Sequence, residues 1–318
     1  MRKVAASAAP DVLSKLLGAA RFRGTVPART EFRAPWGLVV SGRDAMGFHY
    51  VVRGRCCAEV EGVEGRTWLN EGDVAILSLG RRHVFRDAPS SSFITFEELI
   101  QAGESRPGVY RAGGNGELTI LACCAFSFED TLTNPLFKAL PPILTVRRGV
   151  SPWFKVLTAS LKRELVAGRP GAETVATRLA EILFVEAVRT YFTSSEARQQ
   201  KLGLALADPR IGEAVALIHR HPERRWTVDG LAKRVAMSRT AFATRFAGLV
   251  GETPLHYVGR CRIARSAALL RSSDATIVDV ARRVGFSSDV AFTRAFKRYL
   301  GTTPASFRTN GTGQGSRR

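Results

Sequence analysis

Three shortages bound what this 318-residue chain can be. Its apolar residues never run uninterrupted toward the roughly 18 that a membrane-spanning helix requires, so no membrane span is expected. Cysteine is scarce and odd in number, five in all, with two adjacent pairs, Cys56–Cys57 and Cys123–Cys124. That spacing fits neither a disulfide framework nor a zinc ligand set. Acidic residues are in deficit, 28 against 47 Lys and Arg, for a formal charge of +19. The deficit is uneven. From residue 201 onward there are 21 Lys and Arg against 8 Asp and Glu, net +13, while the first 200 residues carry +6. A basic domain of this kind meets nucleic acid, anionic lipid or acidic protein, and composition alone does not choose among them. The start, MRKVAASAAPDVLSKLLGAA, has the outline of a signal peptide. However, Pro10, Asp11 and Lys15 interrupt its apolar part, and Val12, Leu13, Leu16 and Leu17 follow a helical stripe. The expectation is a short amphipathic helix in a cytoplasmic protein.

What is present is a duplication. The length implies two domains, and the second contains VARRVGFSSDVAFTRAFKRYLGTTP at 280–304 and a near-copy, LAKRVAMSRTAFATRFAGLVGETP, at 231–254. With one residue inserted in the later copy, Ala232 aligns with Ala281, Val235 with Val284, Ser238 with Ser287, Phe242 with Phe292 and Phe246 with Phe296. Two copies do not make a solenoid. Each copy reads as helix, tight turn, helix. In the second, Ile277, Val280, Ala281 and Val284 form an apolar stripe and Gly285 permits a turn. Ser287 or Ser288 caps the next helix, which buries Phe292 and Phe296. In the first, Thr227 and Ser238 are the caps. Ala236 stands where the second copy has Gly285, so a left-handed turn is not required there. This is the helix-turn-helix arrangement.

The outward faces separate a groove reader from an ordinary helical hairpin. Arg239, Thr240, Ala243 and Thr244 occupy that face in the first copy, flanked by Arg245; Ser288, Asp289, Val290, Thr293 and Arg294 occupy it in the second, with Lys297 and Arg298 behind. Neither face contains Glu. Short polar groups and arginines suit a major groove, and trailing basic residues suit phosphates. Between the copies, LHYVGRCRIARSAALLR (255–271) reads as a mostly buried helix with arginines on its exposed edge, holding two readers at a fixed separation. The region from Asp208 to Arg308 resembles the DNA-binding domain of the AraC/XylS family of bacterial transcription regulators. That resemblance implies seven helices, two helix-turn-helix units and a linker helix.

The front half is strand-like from 36 to 126: GLVVSG, FHYVVRG, CCAEVEG, RTWLNEGDVAIL, HVFRD, SSFITFEEL and ELTILACCAF are short β-rich runs separated by turn residues. GDVAILSLGRRHVFRD (72–87) resembles the second cupin motif, with Gly72, Gly80 and His83 in register, and FHYVVRG resembles the end of the first. A cupin metal would use two His and a Glu upstream of Gly54 together with His83. Those places fall in VSGRDAMG (40–47), which has neither residue type, and His49 lies outside the register. No metal or other cofactor is expected. Residues 152–193 read as two helices broken at GRPG. The second is apolar nearly all round except for Arg178, Glu181, Glu186 and Arg189, so it is covered on more than one side, by the core of its own domain or, the sharper expectation, by a second protomer.

The fold expected is α+β: a cupin-like jelly-roll barrel with a helical pair at 11–193, a linker at 194–207, a double helix-turn-helix domain at 208–308 and a disordered basic tail at 309–318. The function expected is a sequence-specific, dimeric transcription regulator, not an enzyme, found in the bacterial cytoplasm and on the nucleoid when bound. Its expected partners are double-stranded DNA, a second copy, RNA polymerase and a small-molecule effector contacted by His49 and His83, with no membrane. The rival is a cupin-type enzyme with an accessory nucleic-acid-binding domain; a redox-sensing regulator switched by its cysteines is a subtype of the same reading.

Overall fold

The computed structural model describes residues 13–14, 17–18, 22–25, 28–41, 45–128, 137, 140–167, 169–194, 204–205 and 208–312. Two compact units emerge, one made by Phe22–Phe128 with Leu140–Ser194, the other containing the helices after residue 208.

Twelve described strands build the front unit: β1 (Arg23–Gly24), β2 (Ala28–Arg33), β3 (Gly37–Val40), β4 (Met46–Arg53), β5 (Arg55–Val60), β6 (Thr67–Asn70), β7 (Val74–Leu77), β8 (His83–Arg86), β9 (Ile94–Thr95), β10 (Val109–Gly113), β11 (Leu118–Ser127) and β12 (Ile143–Val146). They form two sheets. One runs β10-β2-β11-β4-β7-β12 with β1 paired to β11, and the other runs β6-β5-β8-β3-β9. Phe32, Val51, Leu77 and Leu121 from the first sheet meet Leu38, Cys56, Leu69 and Phe85 from the second in one core, the cupin-like arrangement. A short helix α1 (Phe96–Gln101) follows β9, and α2 (Pro152–Ala167) packs on α3 (Ala172–Thr193). Along α3, Ala176, Ala180, Leu183, Phe184, Ala187, Val188 and Tyr191 are buried, while Val175 and Ile182 remain exposed.

Two features depart from the sequence reading. FEEL is helix, because Thr95 and Glu98 make a capping box: Thr95 Oγ1 accepts from Glu98 N at 3.1 Å, and the Glu98 carboxylate accepts from Thr95 N at 2.6 Å. The sheet also extends beyond 36–126, with β1 and β2 before it and β12 after it, and Glu31 of β2 is a buried carboxylate. Burial would raise the Glu31 pKa, but Arg111, Arg29 and Arg106 hold it below the ordinary range.

The second unit contains seven described helices: α4 (Pro209–Arg220), α5 (Val228–Arg234), α6 (Arg239–Val250), α7 (Pro254–Ser272), α8 (Ile277–Arg283), α9 (Asp289–Leu300) and α10 (Pro304–Thr312). They enclose two cores. Ile211, Val215, Leu231, Phe242 and Phe246 form the first, and Val280, Val284, Phe292 and Phe296 the second. Helix α7 enters both, giving Tyr257, Val258 and Cys261 to the first and Ile263, Ala267 and Leu270 to the second. Each fully buried Phe contributes about 1.5–3 kcal/mol, so one helix is held firmly at both ends. Helix α10 continues through Thr312, past the 308 boundary. Most of the expected linker (194–207), the last residues of the tail and most of the amphipathic start lie outside the described residues.

Candidate functional site

The two repeats have the same backbone. Thr227 caps α5 by accepting from Gly230 N at 2.9 Å, and Thr276 caps α8 by accepting from Asp279 N at 3.1 Å. Met237 N donates to Ala232 O, and Phe286 N donates to Ala281 O, both at 3.0 Å. Ser238 and Ser288 then cap α6 and α9, accepting from Ala241 N at 3.3 Å and Ala291 N at 3.1 Å. The inserted residue is therefore Ser287, and Ser238 corresponds to Ser288 rather than Ser287. The first turn is also left-handed after all. Ala236 has φ 52° and Gly285 φ 90°. The hydrogen bond across the turn imposes this geometry whether or not a glycine is present, and a Cβ there costs roughly 1–2 kcal/mol.

Arg239, Thr240, Thr244 and Arg245 are exposed on α6, and Ala243 is half-buried. Asp289, Val290, Arg294, Lys297 and Arg298 are exposed on α9, with Thr293 half-buried and Ser288 exposed at the cap. Arg239, Arg294 and Lys297 have no ion-pair partner among the described residues. Arg245 is engaged: its Nε donates to Asp208 Oδ2 at 2.7 Å. Asp208 also caps α4, accepting from Arg210 N and Ile211 N at 3.0 and 2.9 Å. Burial would raise the Asp208 pKa, but those amides and Arg245 bring it below the usual carboxylate range. Arg245 thus ties α4 to α6. Arg298 lies 5.1 Å over the Tyr299 ring.

The α7 arginines were expected on an exposed edge, but Arg260 and Arg262 are partly buried and bonded. Arg260 donates to Glu252 Oε1 at 2.9 and 2.6 Å. Arg262 donates through Nε to Pro222 O and through NH2 to Arg224 O, both at 2.8 Å, with Phe286 5.7 Å beneath it. Burial lowers its pKa. The same loop abuts the second turn: a Cβ on Gly285 would lie 2.4 Å from Glu223 O. Loop 222–224, α7 and the second turn thus interlock, and this contact fixes one reader against the other. Sequence reasoning missed it, because nothing in the repeat marks a loop about 60 residues away as its partner.

In the front unit a cavity of about 250 Å³ opens between the sheets. His49 on β4 and His83 on β8 meet there with ring centroids 5.2 Å apart. His49 Nδ1 is 3.1 Å from Cys123 Sγ, and His83 Nδ1 is 3.0 Å from Arg81 O. The His49 and His83 Nε2 atoms are buried without a partner. Burial lowers the pKa of both imidazoles, His49 strongly, and pushes the Cys123 thiol up to about 12. Among the described residues no group of three or more His, Cys, Asp or Glu is placed to hold a metal. Two imidazoles, one already tied to a thiol, do not match a cupin ligand set.

Residues 11–193 match a family model described as a cupin, and residues 231–310 match a helix-turn-helix domain. A Streptomyces lividans protein described as an AraC-like transcription regulator is 33% identical over 308 residues, spanning 95% of this chain and 99% of its own. The RCS-specific HTH-type transcriptional activator RclR of Escherichia coli strain K12 is 30% identical over 301 residues, spanning 94% and 97%. The crystallised DNA-binding domain of AdpA in complex with a target DNA is 37% identical over 32% of this chain and 92% of that one, with a TM-score of 0.31.

Proposed function

This chain belongs to the AraC-like family of transcription regulators, and we propose that it reads DNA by inserting α6 and α9 into successive major grooves on one face of a single duplex. It is a DNA-binding regulator of transcription with a cupin domain in front of its helix-turn-helix domain. The observation that carries the two-groove reading is the matched pair of capped, left-handed turns joined by one helix shared between both cores. At 1.5 Å per residue, the 19 residues of α7 span about 28 Å, near the roughly 34 Å repeat of the groove.

In this reading Arg239, Thr240, Ala243 and Thr244 on α6, and Asp289, Val290, Thr293 and Arg294 on α9, face bases. Lys297 and Arg298 face phosphate, Ser288 presents the N-terminus of α9, and Arg245 holds the first unit together. Arg294→Ala should cost about 1–3 kcal/mol of binding and relax preference at one base position. Lys297→Ala should weaken all sequences alike and lower the salt slope by about one. Uniform weakening by Arg294→Ala would make that residue a phosphate contact and withdraw it from base reading.

Residues 11–193 act in this proposal as the regulatory and dimerisation domain, 194–207 as the linker and 208–308 as the DNA-binding domain, in a cytoplasmic protein whose output passes to RNA polymerase. The exposed Val175 and Ile182 on α3 support self-association; light scattering that finds only monomer at high concentration refutes the dimer. The cavity between the sheets is the effector site, with His49 and His83 as its polar contacts. A thiol switch is disfavoured, because burial raises the pKa of Cys56, Cys57, Cys123 and Cys124 and so depletes the reactive thiolate.

A further inference from the structure

The two imidazoles that meet in the cavity are fixed in different tautomers by their outer partners. A carbonyl oxygen only accepts, so the His83 Nδ1 facing Arg81 O at 3.0 Å carries the proton. His83 Nε2 is then a bare lone pair. His49 Nδ1 faces the Cys123 sulfur at 3.1 Å. An imidazole nitrogen is a far better acceptor than a thiol sulfur, so the S–H donates and the His49 proton sits on Nε2. The cavity wall therefore carries one donor and one acceptor on neighbouring rings, both buried and both without a hydrogen-bond partner. Gly47 lies against both rings: a Cβ there would be 3.0 Å from His49 Nε2 and 3.4 Å from His83 Cε1. Around them the wall is largely apolar, with Leu38, Val40, Leu77 and Leu99.

Resting on the effector-site reading above, we infer that the cavity binds a small uncharged molecule with one hydroxyl group, an alcohol or phenol, whose oxygen accepts from His49 Nε2 and donates to His83 Nε2. A hydroxyl oxygen both accepts and donates at one atom. A ketone satisfies only His49. An ammonium satisfies only His83 and brings a buried charge. A carboxylate has no proton to give the His83 lone pair. The volume limits size: about 150 Å³ takes one benzene ring, so about 250 Å³ takes a ring with a short substituent. Burial, which disfavours protonation of either imidazole, keeps the donor–acceptor pair intact at neutral pH.

The test is calorimetric titration of the full-length protein with three probes of similar shape: 4-ethylphenol, 4-ethyltoluene and 4-ethylbenzoate. The phenol is expected to bind about tenfold or more tighter than the hydrocarbon, the consequence of two polar atoms otherwise left unsatisfied, and the benzoate weakest of the three. Gly47→Ala places a methyl group against both rings, 3.0 Å from His49 Nε2, and His83→Leu removes the acceptor; each should erase the preference for the phenol. Equal affinity for phenol and hydrocarbon, or tightest binding of the benzoate, overturns the hydroxyl assignment while leaving the cavity an effector site. No heat of binding from any of the three overturns both the assignment and that reading.

Discussion

Exchanging the residues at the two turns, Ala236→Gly and Gly285→Ala, tests whether both helix-turn-helix units depend on one left-handed geometry. At Ala236 the backbone already sits at φ 52° with a Cβ in place, a strain of roughly 1–2 kcal/mol. Glycine removes that strain but gives up roughly 0.5–1 kcal/mol of backbone entropy, so Ala236→Gly should stabilise by about 0.5–1 kcal/mol. At Gly285 both terms change sign and a clash is added. The new Cβ would meet Glu223 O at 2.4 Å, its Cα at 2.8 Å and its carbonyl carbon at 2.9 Å. All three are backbone atoms of a loop that Arg262 holds on both sides, so none swings away cheaply. Strain of roughly 1–2 kcal/mol plus overpacking of roughly 1–3 kcal/mol, less roughly 0.5–1 kcal/mol of backbone entropy, gives a loss of about 3 kcal/mol. The assay is urea unfolding of residues 201–318 followed by circular dichroism and by Trp226, the one tryptophan of that segment. Destabilisation by Ala236→Gly, or a neutral Gly285→Ala, would refute the argument.

Three other outcomes follow from the same geometry. Arg262→Ala removes two charge-assisted bonds to backbone carbonyls and should cost about 2 kcal/mol or more of stability; binding should also tolerate base pairs inserted between half-sites that the native protein rejects, as read by gel shift. Asp208 has a depressed folded pKa, so its stabilisation is complete above about pH 4 and is lost as pH falls through the folded value; Asp208→Asn should flatten that acid limb in a circular dichroism titration. The His49 pKa is lowered on folding, so the unfolded chain takes up the proton first and the front unit loses stability as pH falls below about 6.5; His49→Phe should remove part of that slope in thermal melts.

The repeat was legible because it is local. Caps at Thr227, Ser238 and Ser288 and Phe pairs four apart are set by neighbours within one or two turns; the equally local cap at Thr276 was not read. Most strands of the front unit were legible for the same reason, as alternating runs between turns. Strand β2 was not, since Glu31 looks like a surface residue until Arg29, Arg106 and Arg111 are brought around it. The run SSFITFEEL contained its capping box, but its β-branched and aromatic residues read as strand. Long-range partners left little mark: His49 and His83 were paired as effector contacts, but Cys123 was not placed with them. Arg245 and Asp208 are 37 positions apart, and His49, His83 and Cys123 come from three strands of two sheets. For that reason His49, out of register in the cupin motif, proved to be the neighbour of His83. Ala236 shows the limit of composition: a residue type that disfavours positive φ adopts it where the hydrogen bond from Met237 to Ala232 demands it.

The central claim is that one chain carries two groove readers on one rigid unit. Hydroxyl-radical footprinting of residues 201–318, as a monomer on a site selected from genomic fragments, tests it most directly. The account predicts two protected patches on one face of the duplex, about one helical turn apart, with Arg294→Ala weakening one patch and Arg239→Ala the other. A single patch of protection, lost entirely with Arg294→Ala and indifferent to Arg239→Ala, would contradict it.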